Sequence, residues 1–469
     1  MGGNDTICAI STAAGIGAIA VIRLSGPESY VAALSIFRRK GKSLNVDAIE
    51  PSKAYYGEVF DSAAADKPMI DDVLVTFFKA PHSYTGEDSV EISCHGSEFV
   101  QQKILEMLVM CGCRLAEPGE FSQRAFINGK LDLAQAEAVA DLIASQNEAE
   151  HRIAVNQLKG GFSNELRDLR AKLVDLTSLL ELELDFSEED VEFADRSMLY
   201  ALLDTALKHI GKLTDSFRMG NAIKNGIPVA IVGATNTGKS TLLNAILGEE
   251  RAIVSDIAGT TRDTIEETFT IDGMMYRFID TAGIRETSET IEKIGIERTF
   301  KKISEADIVI GMVDGSKPLS EIADDLKAIA SHVNALTQKL LPVVNKSDKM
   351  DADKISKLKS DYKDLMNLYI ISAKKADDVE DLKRIIKSCT TTPQLDGNTT
   401  LVSNIRHYEA LTHAKESLEQ VKNGLDGKLS ADLLAQDLRQ ALYYIGSITG
   451  EVTNAEVLNT IFGRFCIGK

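Results

Sequence analysis

Residues 226–241 read GIPVAIVGATNTGKST, and they decide the fold of the middle of the chain. The apolar, β-branched run at 228–232 predicts a buried parallel strand. It leads into residues 233–240, which fit the pattern G-x-x-x-x-G-K-[ST], and residues 242–247 predict a helix that ends at Gly248. Backbone N–H groups of such a loop wrap a polyphosphate, and the helix N-terminus adds positive potential. The stretch therefore predicts a nucleotide-binding P-loop.

Two side chains of this loop have expected roles in phosphate and metal binding. Lys239 would reach the β- and γ-phosphates, and Ser240 would give its hydroxyl to Mg²⁺. A chance glycine turn before a helix is the alternative, and the order of strand, loop and helix argues against it. The predicted nucleotide contacts in the loop are Asn236, Thr237, Gly238, Lys239, Ser240 and Thr241.

Specificity for guanine is predicted by a second motif, NKSD at 345–348, which ends a predicted strand. The carboxylate of Asp348 can accept hydrogen bonds from N1–H and the 2-amino group of guanine. Adenine offers neither donor, so its binding would leave that carboxylate without partners. The SAK run at 372–374 suits a backbone contact to O6 of guanine. The predicted contacts to GTP in these motifs are Asn345, Lys346, Asp348, Ser372, Ala373 and Lys374.

Two further motifs mark segments that would respond to the γ-phosphate. GTTRD at 259–263 carries the switch threonines, of which Thr261 is expected to join Ser240 in binding Mg²⁺. DTAG at 280–283 follows a predicted strand, where the N–H of its glycine can meet the γ-phosphate. The predicted contacts here are Ser255, Asp256, Ile257, Ala258, Gly259, Thr260, Thr261, Asp280, Thr281, Ala282 and Gly283. Four motifs in this order predict a GTPase.

The residue that follows DTAG bears on how GTP would be hydrolysed. Many Ras-like GTPases carry a glutamine there that positions water, whereas this chain has Ile284, which cannot. The sequence also shows no obvious arginine finger in cis. Hydrolysis therefore needs a replacement carboxylate or amide, and a replacement positive charge.

Composition narrows the class of protein. The 469 residues carry a formal net charge of −18 and are 44% hydrophobic, and this length predicts two to four domains. The acidic balance argues against a large nucleic-acid face, because phosphate binding needs clustered Lys and Arg, so a basic partner would help to hold any nucleic-acid substrate. Scattered cysteines indicate a reducing compartment. Without a signal peptide or a long apolar run, we expect a cytoplasmic protein with no membrane insertion.

Four segments differ in their patterning. Residues 1–128 alternate short β-like runs with turns, which predicts an α+β domain. Amphipathic helical patterns at 129–220 predict the first part of a helical bundle. Residues 221–390 alternate strands and helices, which predicts a Ras-like α/β domain with a mostly parallel sheet. Helical character returns at 391–469, and we expect this segment to rejoin the first helices, so that the α/β domain is an insertion; a separate C-terminal bundle is the alternative.

Individual elements can be placed more finely in the first two segments. Continuous helical spacing is expected from 131 to 158, with further helices at about 162–184 and 197–220. Strands are expected at 6–10, 18–24, 72–78 and 90–94, with a helix at 99–111.

Taken together, the motifs resemble the MnmE family of tRNA-modifying GTPases, also called TrmE. The resemblance covers essentially the whole chain. Its most specific feature is the terminal Cys-x-Gly-Lys at 466–469, which follows a helical segment. The other matching motifs are SYTGED at 83–88, PGEFS at 118–122, GTTRD at 259–263, DTAGIR at 280–285 and IGIER at 294–298.

This resemblance implies one half of a tRNA-modifying complex. The family acts with an FAD- and NADH-dependent partner, MnmG or GidA, in a heterotetramer. Together they place an aminomethyl or carboxymethylaminomethyl group on C5 of the wobble uridine of certain tRNAs. The family's N-terminal domain resembles folate-binding proteins, binds 5-formyl- or 5,10-methylene-tetrahydrofolate and forms the homodimer. The positions that match its folate contacts are Arg23, Glu91, Lys130 and Lys469.

The resemblance also implies how the missing catalytic groups are replaced. The family uses K⁺ where other GTPases use an arginine finger, and a cation between β- and γ-oxygens neutralises charge in the transition state. Glu292 aligns with the family's catalytic glutamate, which orients the attacking water through a second water. The G domains pair transiently across the dimer. The positions that match the K⁺ site are Asn236, Ser255, Ile257 and Thr260.

Simpler interpretations of several residues stand beside these roles. Glu292 lies among other glutamates, which is typical of a solvated loop, and Arg23 could be a charge at a strand end. Asn236 could only brace the P-loop. Cys466 is either an inert thiol or a catalytic residue of the modification. For the whole chain, the alternative function is a regulatory GTPase switch in ribosome assembly, which needs neither the N-terminal domain nor the terminal cysteine.

Overall fold

The fold is seen in a computed structural model of the chain. The residues that it describes are 5–39, 44–185, 196–248, 267–271, 274–279, 303–361, 368–390, 400–427, 429–453, 455–463 and 465–468. They fall into two compact units. The first unit holds residues 1–144, 154–210 and 410–469, and the second unit holds residues 145–153 and 211–409. In this part of the chain no helix is long and apolar enough to cross a membrane.

A seven-stranded sheet with the order β3-β4-β5-β6-β2-β1-β7 forms the base of the first unit. Neighbouring strands are antiparallel except β1 and β7, which are parallel. The strands are β1 Ile7–Ile10, β2 Ile19–Ser25, β3 Phe37–Arg38, β4 Ala54–Phe60, β5 Met69–Phe78, β6 Ser89–His95 and β7 Arg114–Leu115. The helices of this part are α1 Ser29–Ile36, α2 Glu98–Met110 and α3 Glu120–Ile127. The four strands expected from the sequence are all confirmed.

The core of this sheet lies under α1 and α2. Burial alternates along β2, where Ile22 and Leu24 are fully buried while Arg23 between them is not. This two-residue period is what a sheet with one covered face requires. Ile104 of α2 packs against the buried side. The other side therefore carries the polar residues of β2 and β6.

Long helices make up the rest of the first unit and extend into the second. They are α4 Leu133–Ala144, α5 Glu148–Leu158, α6 Gly161–Asp185, α7 Arg196–Asn225, α12 Ile405–Asp426, α13 Ala431–Thr449 and α14 Ala455–Phe462. Within the first unit, α13 packs along α6 and α4. Phe462 of α14 packs against Leu133 and Ala136 of α4. Within the first unit, the C-terminal helices thus pack against the first helices.

One helix expected from the sequence is broken in the structure. The continuous helical spacing at 131–158 divides into α4 and α5. At the break, the side chain of Asn147 accepts a hydrogen bond from the N–H of Glu150 at 2.9 Å. The Glu150 carboxylate in turn accepts from the N–H of Gln146 at 2.8 Å. This reciprocal capping starts a new helix inside an uninterrupted apolar pattern.

The second unit contains a six-stranded sheet with the order β13-β12-β11-β8-β10-β9. Its pairs are parallel except β9 with β10. The strands are β8 Ile227–Val232, β9 Glu267–Ile271, β10 Met274–Phe278, β11 Ile308–Asp314, β12 Lys339–Asn345 and β13 Tyr369–Ile370. The helices between them are α8 Lys239–Leu247, α9 Leu319–Ala330, α10 Ala352–Asp361 and α11 Ala376–Ser388.

The central strands of this sheet are covered on both faces. In β8 and β11 almost every residue is buried, as expected for parallel strands between two layers of helices. Ile231 packs with Leu243 and Ile246 of α8, whereas Val232 packs with Val309 on the opposite side. The mostly parallel α/β domain expected from the sequence is confirmed.

Candidate functional site

The loop between β8 and α8 has backbone geometry that requires glycine at two positions. Gly233 has φ +156° and Gly238 has φ +97°. A Cβ atom at Gly233 would overlap the carbonyl oxygen of Met312, and one at Gly238 would overlap the side-chain amide of Asn345. The glycines of the P-loop pattern are therefore explained by a positive φ and by close approach of neighbouring groups.

Side chains of the same loop close it on itself. The hydroxyl of Thr237 donates to the carbonyl of Ala234 at 3.0 Å. The ammonium of Lys239 donates to the carbonyls of Gly233 and Ala234, each at 2.8 Å, so its charge lies within the loop. Asn236 is exposed and has φ +61°, a conformation that asparagine tolerates better than most residues.

The first turn of α8 follows directly and supplies donors for an anion. Helix α8 begins at Lys239, so Ser240 and Thr241 lie in its first turn. The first N–H groups of a helix have no partners inside the helix, and the positive end of its dipole favours phosphate. Ser240 therefore lies in the first turn of a helix whose N-terminus favours an anion.

Asn345, the last residue of β12, joins the P-loop to the predicted guanine segment. It is only 3% exposed. Its side-chain N–H donates to the carbonyl of Thr237 at 2.8 Å, and its Oδ1 accepts from the N–H of Ala373 at 2.9 Å. One buried amide thus connects its own motif with the P-loop, 108 residues earlier in the chain, and with the 372–374 segment, 28 residues later.

Asp348 lies at the edge of this arrangement with an exposed carboxylate. The Ser372 hydroxyl donates to its Oδ1 at 2.8 Å, and this hydrogen bond lowers the pKa of Asp348. The Ser372 N–H donates to Asp378 at 2.7 Å, which fixes the start of the 372–374 segment. Lys374 is exposed. Asp348 is therefore ionised at neutral pH and oriented, as an acceptor for two guanine donors must be.

One residue near this site was missed from the sequence. Asp314 ends β11 and accepts a hydrogen bond from the ammonium of Lys346 at 2.5 Å. The contact joins two neighbouring parallel strands, so no local pattern reveals it. A signal was nevertheless present, because Asp314 ends its strand in VDGS as Asn345 ends the next strand in NKSD.

In the first unit, Arg23 and Glu91 form a direct pair across β2 and β6. The Arg23 guanidinium donates to Glu91 Oε1 at 3.0 and 2.8 Å. It also lies over two aromatic rings, at 5.1 Å from the Tyr84 centroid and 5.7 Å from that of Phe121. Arg23 is therefore not merely a strand-end charge, since its position is fixed by a carboxylate and two rings.

Helix α3, which carries Phe121, is held in place by buried charges. Arg124 donates to Glu120 at 3.0 Å and to Asp5 at 2.7 Å. Burial acts to raise the pKa of Glu120, but hydrogen bonds from Arg114 and Arg124 outweigh it and keep this pKa below its usual value. The Ser122 hydroxyl on the same helix shares a hydrogen bond of 2.8 Å with Tyr84. These contacts fix the aromatic surroundings of the Arg23 guanidinium.

Two other predicted residues of the first unit have simpler surroundings. Lys130 is exposed and donates to the carbonyl of Pro81 at 3.0 Å. Cys466 is an exposed free thiol. Its carbonyl accepts from the N–H of Gly119 at 3.4 Å, and the Gly468 carbonyl accepts from Ser11 at 3.0 Å. The C-terminal residues thus lie against the N-terminal sheet.

The remaining predicted residues lie outside the described part of the chain. They are those at 255–261 and 280–283, together with Glu292 and Lys469. Of the predicted Mg²⁺ pair only Ser240 is described, and of the predicted K⁺ set only Asn236. Among the described residues, no three His, Cys, Asp or Glu side chains converge to hold a metal ion.

Comparison with known proteins covers the whole chain. Two family models match, one described as GTP-binding protein TrmE N-terminus over residues 6–130 and one as MnmE helical domain over residues 133–466. The protein called tRNA modification GTPase MnmE from Bacteroides thetaiotaomicron is 51% identical over 472 residues, which cover 99% of this chain and 100% of the relative. The protein of the same name from Flavobacterium johnsoniae is 51% identical over 469 residues, covering 99% of each chain. That from Parabacteroides distasonis is 50% identical over 471 residues, covering 99% of this chain and 100% of the relative.

Proposed function

Because the chain belongs to the MnmE family of tRNA modification GTPases, we propose that it binds and hydrolyses GTP as part of tRNA modification. The observation that carries the proposal is the buried amide of Asn345, which connects the P-loop with the 372–374 segment. A phosphate site and a guanine site are useful together only if they are held at a fixed separation. One residue that bonds to both segments provides that.

Each part of the proposed GTP site has a chemical role. Lys239 and the first turn of α8 hold the phosphates. The ionised carboxylate of Asp348 would accept from N1–H and the 2-amino group of guanine, and a backbone N–H of the 372–374 segment would donate to O6. Ser240 and Thr261 would hold Mg²⁺, which would supply positive charge to neutralise the phosphates.

We propose that hydrolysis depends on K⁺ and on Glu292. Asn236 supports the K⁺ proposal, because it is an exposed P-loop residue in a left-handed backbone conformation, and an amide oxygen is a suitable ligand for a cation. The other proposed K⁺ contacts are Ser255, Ile257 and Thr260. Ile284 cannot position water, so a carboxylate such as that of Glu292 is needed for this role. Pairing of two GTPase domains in the homodimer would complete the site.

For the first unit, we propose a folate site around Arg23, Glu91, Lys130 and Lys469. The guanidinium over two aromatic rings supports it, because a flat heterocycle and a glutamate tail need both apolar surface and a fixed positive charge. The donor would be 5-formyl- or 5,10-methylene-tetrahydrofolate. The product would be a wobble uridine that carries an aminomethyl or carboxymethylaminomethyl group at C5.

This chemistry needs partners. We propose a homodimer that joins an FAD- and NADH-dependent MnmG subunit in a heterotetramer. The net charge of −18 supports an arrangement in which the partner supplies most of the positive surface that binds tRNA. The proposed domain limits remain 1–128 for folate and dimerisation, 129–220 and 391–469 for the helical domain, and 221–390 for the inserted GTPase domain.

The alternative function from the sequence is a GTPase switch in ribosome assembly. Such a switch assigns no role to the first unit. No feature of the described residues favours it. The fixed surroundings of the Arg23 guanidinium support a binding site rather than a spacer between domains.

Mass analysis of wobble nucleosides in cells that lack the chain tests the proposal. We expect the C5-modified uridine to disappear and to return with the wild-type chain or with a control, Lys327→Ala, which changes an exposed lysine of α9. Lys239→Ala should not restore it, because the phosphates lose their main charge partner. Unchanged wobble uridines in the deletion strain would refute the proposed modification. Normal modification with Lys239→Ala would refute the need for GTP.

A further inference from the structure

The carboxylate of Asp314, at the end of β11, accepts hydrogen bonds on both of its oxygens. Asp314 is the register partner of Asn345 on the neighbouring strand β12. One of its oxygens, Oδ2, accepts from the Lys346 ammonium at 2.5 Å. The other oxygen, Oδ1, accepts from the N–H of Ser316 at 2.9 Å and from its hydroxyl at 2.6 Å. The carboxylate therefore cannot rotate without breaking bonds on both sides.

The turn that carries this carboxylate is itself held by hydrogen bonds to β12 and α10. The Gly315 N–H donates to the carbonyl of Asn345 at 2.8 Å, which ties the turn to the end of β12. Lys354 of α10 donates to the carbonyls of Gly315 and Lys317 at 2.7 and 2.5 Å. A Cβ atom at Gly315 would overlap the sulfur of Met350. Asp314 is thus presented to Lys346 by a rigid support.

The pair is partly shielded from water. The side chains of Asp314 and Lys346 are 15% and 25% exposed. Burial acts to raise the pKa of Asp314, but hydrogen bonds from Lys346 and Ser316 bring it down to about 2, so the carboxylate is ionised at neutral pH. Within the described part of the chain, Asp314 is the carboxylate that pairs with Lys346. A lysine left unpaired there would sample many rotamers, because its stem has four rotatable bonds.

We propose that Asp314 is a positioning residue for the purine ring, which acts by holding Lys346 against it. The inference rests on the proposed GTP site, in which Lys346 lies between the amide of Asn345 and the guanine acceptor Asp348. Asp314 itself contacts no edge of the base. It therefore contributes to affinity for the nucleotide and not to the choice between bases, which belongs to Asp348.

The first test compares nucleotide affinities of the wild-type chain and Asp314→Asn. We expect the variant to bind GDP about tenfold more weakly, which is about 1.4 kcal/mol. It should bind inosine diphosphate, which lacks the 2-amino group, more weakly by the same factor, so the ratio of the two affinities is kept. The matched control is Asp325→Asn, which removes a 2.9 Å ion pair to Lys317 in the same turn and leaves Lys346 untouched. Its GDP affinity should stay within twofold of wild type.

A double-mutant cycle distinguishes positioning from general support of the fold. If Asp314 acts through Lys346, then Asp314→Asn combined with Lys346→Ala binds GDP no more weakly than Lys346→Ala alone. Additive losses would overturn the proposal. Lys346→Met keeps the apolar stem and removes the charge, so it tests the same contact from the other side if Asp314→Asn does not fold. It should lose about as much affinity as Asp314→Asn.

Failure of this inference can be told apart from failure of the proposed GTP site. If the wild-type chain binds GDP no better than ADP, the proposed site is wrong and this inference falls with it. If the wild type prefers GDP and Asp314→Asn binds it equally well, only the role of Asp314 is wrong. A change in the ratio of GDP to inosine diphosphate affinity in Asp314→Asn would also overturn it, because that result assigns Asp314 to base selection.

Discussion

Replacing Asn345 with alanine should strongly weaken nucleotide binding by the second unit. The substitution leaves two groups without their partner, the Thr237 carbonyl and the Ala373 N–H. Both residues are at most 4% exposed, so water cannot readily replace the lost hydrogen bonds. Each unsatisfied buried group costs about 1–3 kcal/mol, and partial relaxation brings the sum to about 3 kcal/mol. Because both groups belong to the nucleotide site, we expect GDP affinity to fall by roughly a hundredfold.

The measurement is a titration with a fluorescent GDP analogue, together with thermal unfolding of the free chain. Asn345→Asp is the sharper companion, since it keeps the shape but turns the donor that faces the Thr237 carbonyl into an acceptor. It should lose at least as much affinity as alanine. Asn334→Ala is the matched control, because the exposed Asn334 side chain accepts only a turn hydrogen bond from the Leu336 N–H at 3.1 Å.

Three results would contradict this reasoning. GDP affinity within threefold of wild type in both Asn345 variants would mean that the P-loop and the 372–374 segment hold their places without the amide. An equal loss in the Asn334→Ala control would mean that the titration reports general stability. A fall in the unfolding temperature of Asn345→Ala with unchanged affinity would assign the amide to the fold and not to the site.

Four further outcomes are expected. Asp348→Asn should weaken GTP binding and favour xanthosine triphosphate, because an amide can donate to the carbonyl at position 2; unchanged GTP affinity would contradict it. GTP hydrolysis should be faster in K⁺ than in Na⁺, and Asn236→Ala should abolish that difference while GTP still binds, as rates at matched ionic strength would show. Glu292→Ala should stop hydrolysis with little loss of GTP affinity, whereas Cys466→Ser should leave hydrolysis intact and abolish the modified nucleoside in cells. The low pKa of Asp314, about 2, makes its pair with Lys346 a source of stability that is present above pH 4 and lost toward pH 2; urea unfolding should show a gap of about 1 kcal/mol between wild type and Asp314→Asn at pH 7 that is largely lost at pH 2.

The elements of the second unit could be predicted from the sequence because their signals are local. An apolar β-branched run, two glycines and a following helix lie within residues 226–247, and the structure confirms each of them. The helix break at Asn147 could not be predicted from periodicity, since apolar spacing continues through it. A capping pair of Asn147 and Glu150 was the available signal. Periodicity reports which face is buried and does not report where a helix restarts.

The contacts that shape the two sites depend on pairing between distant segments. Arg23 meets Glu91 because β2 pairs with β6 in a register that brings residues 68 positions apart side by side. Asp314 meets Lys346 because β11 pairs with β12. A shift of one residue in either register would turn the side chains to the opposite face. The sequence alone does not give the register, so it left two interpretations of Arg23, a folate contact or a charge at a strand end.

The sheet order brings the proposed phosphate and base sites to neighbouring strand ends. Strands β8, β11 and β12 are neighbours, and their carboxyl ends carry Gly233, Asp314 and Asn345 in that order. Adjacent strands are about 4.8 Å apart, so the P-loop, the carboxylate that holds Lys346 and the amide that bonds Thr237 all lie within about 10 Å. Contacts at the base therefore bear on the same strand ends that hold the phosphates. A change that weakens Asp314 or Asn345 should be felt as lost nucleotide affinity even though neither carboxylate nor amide needs to touch a phosphate.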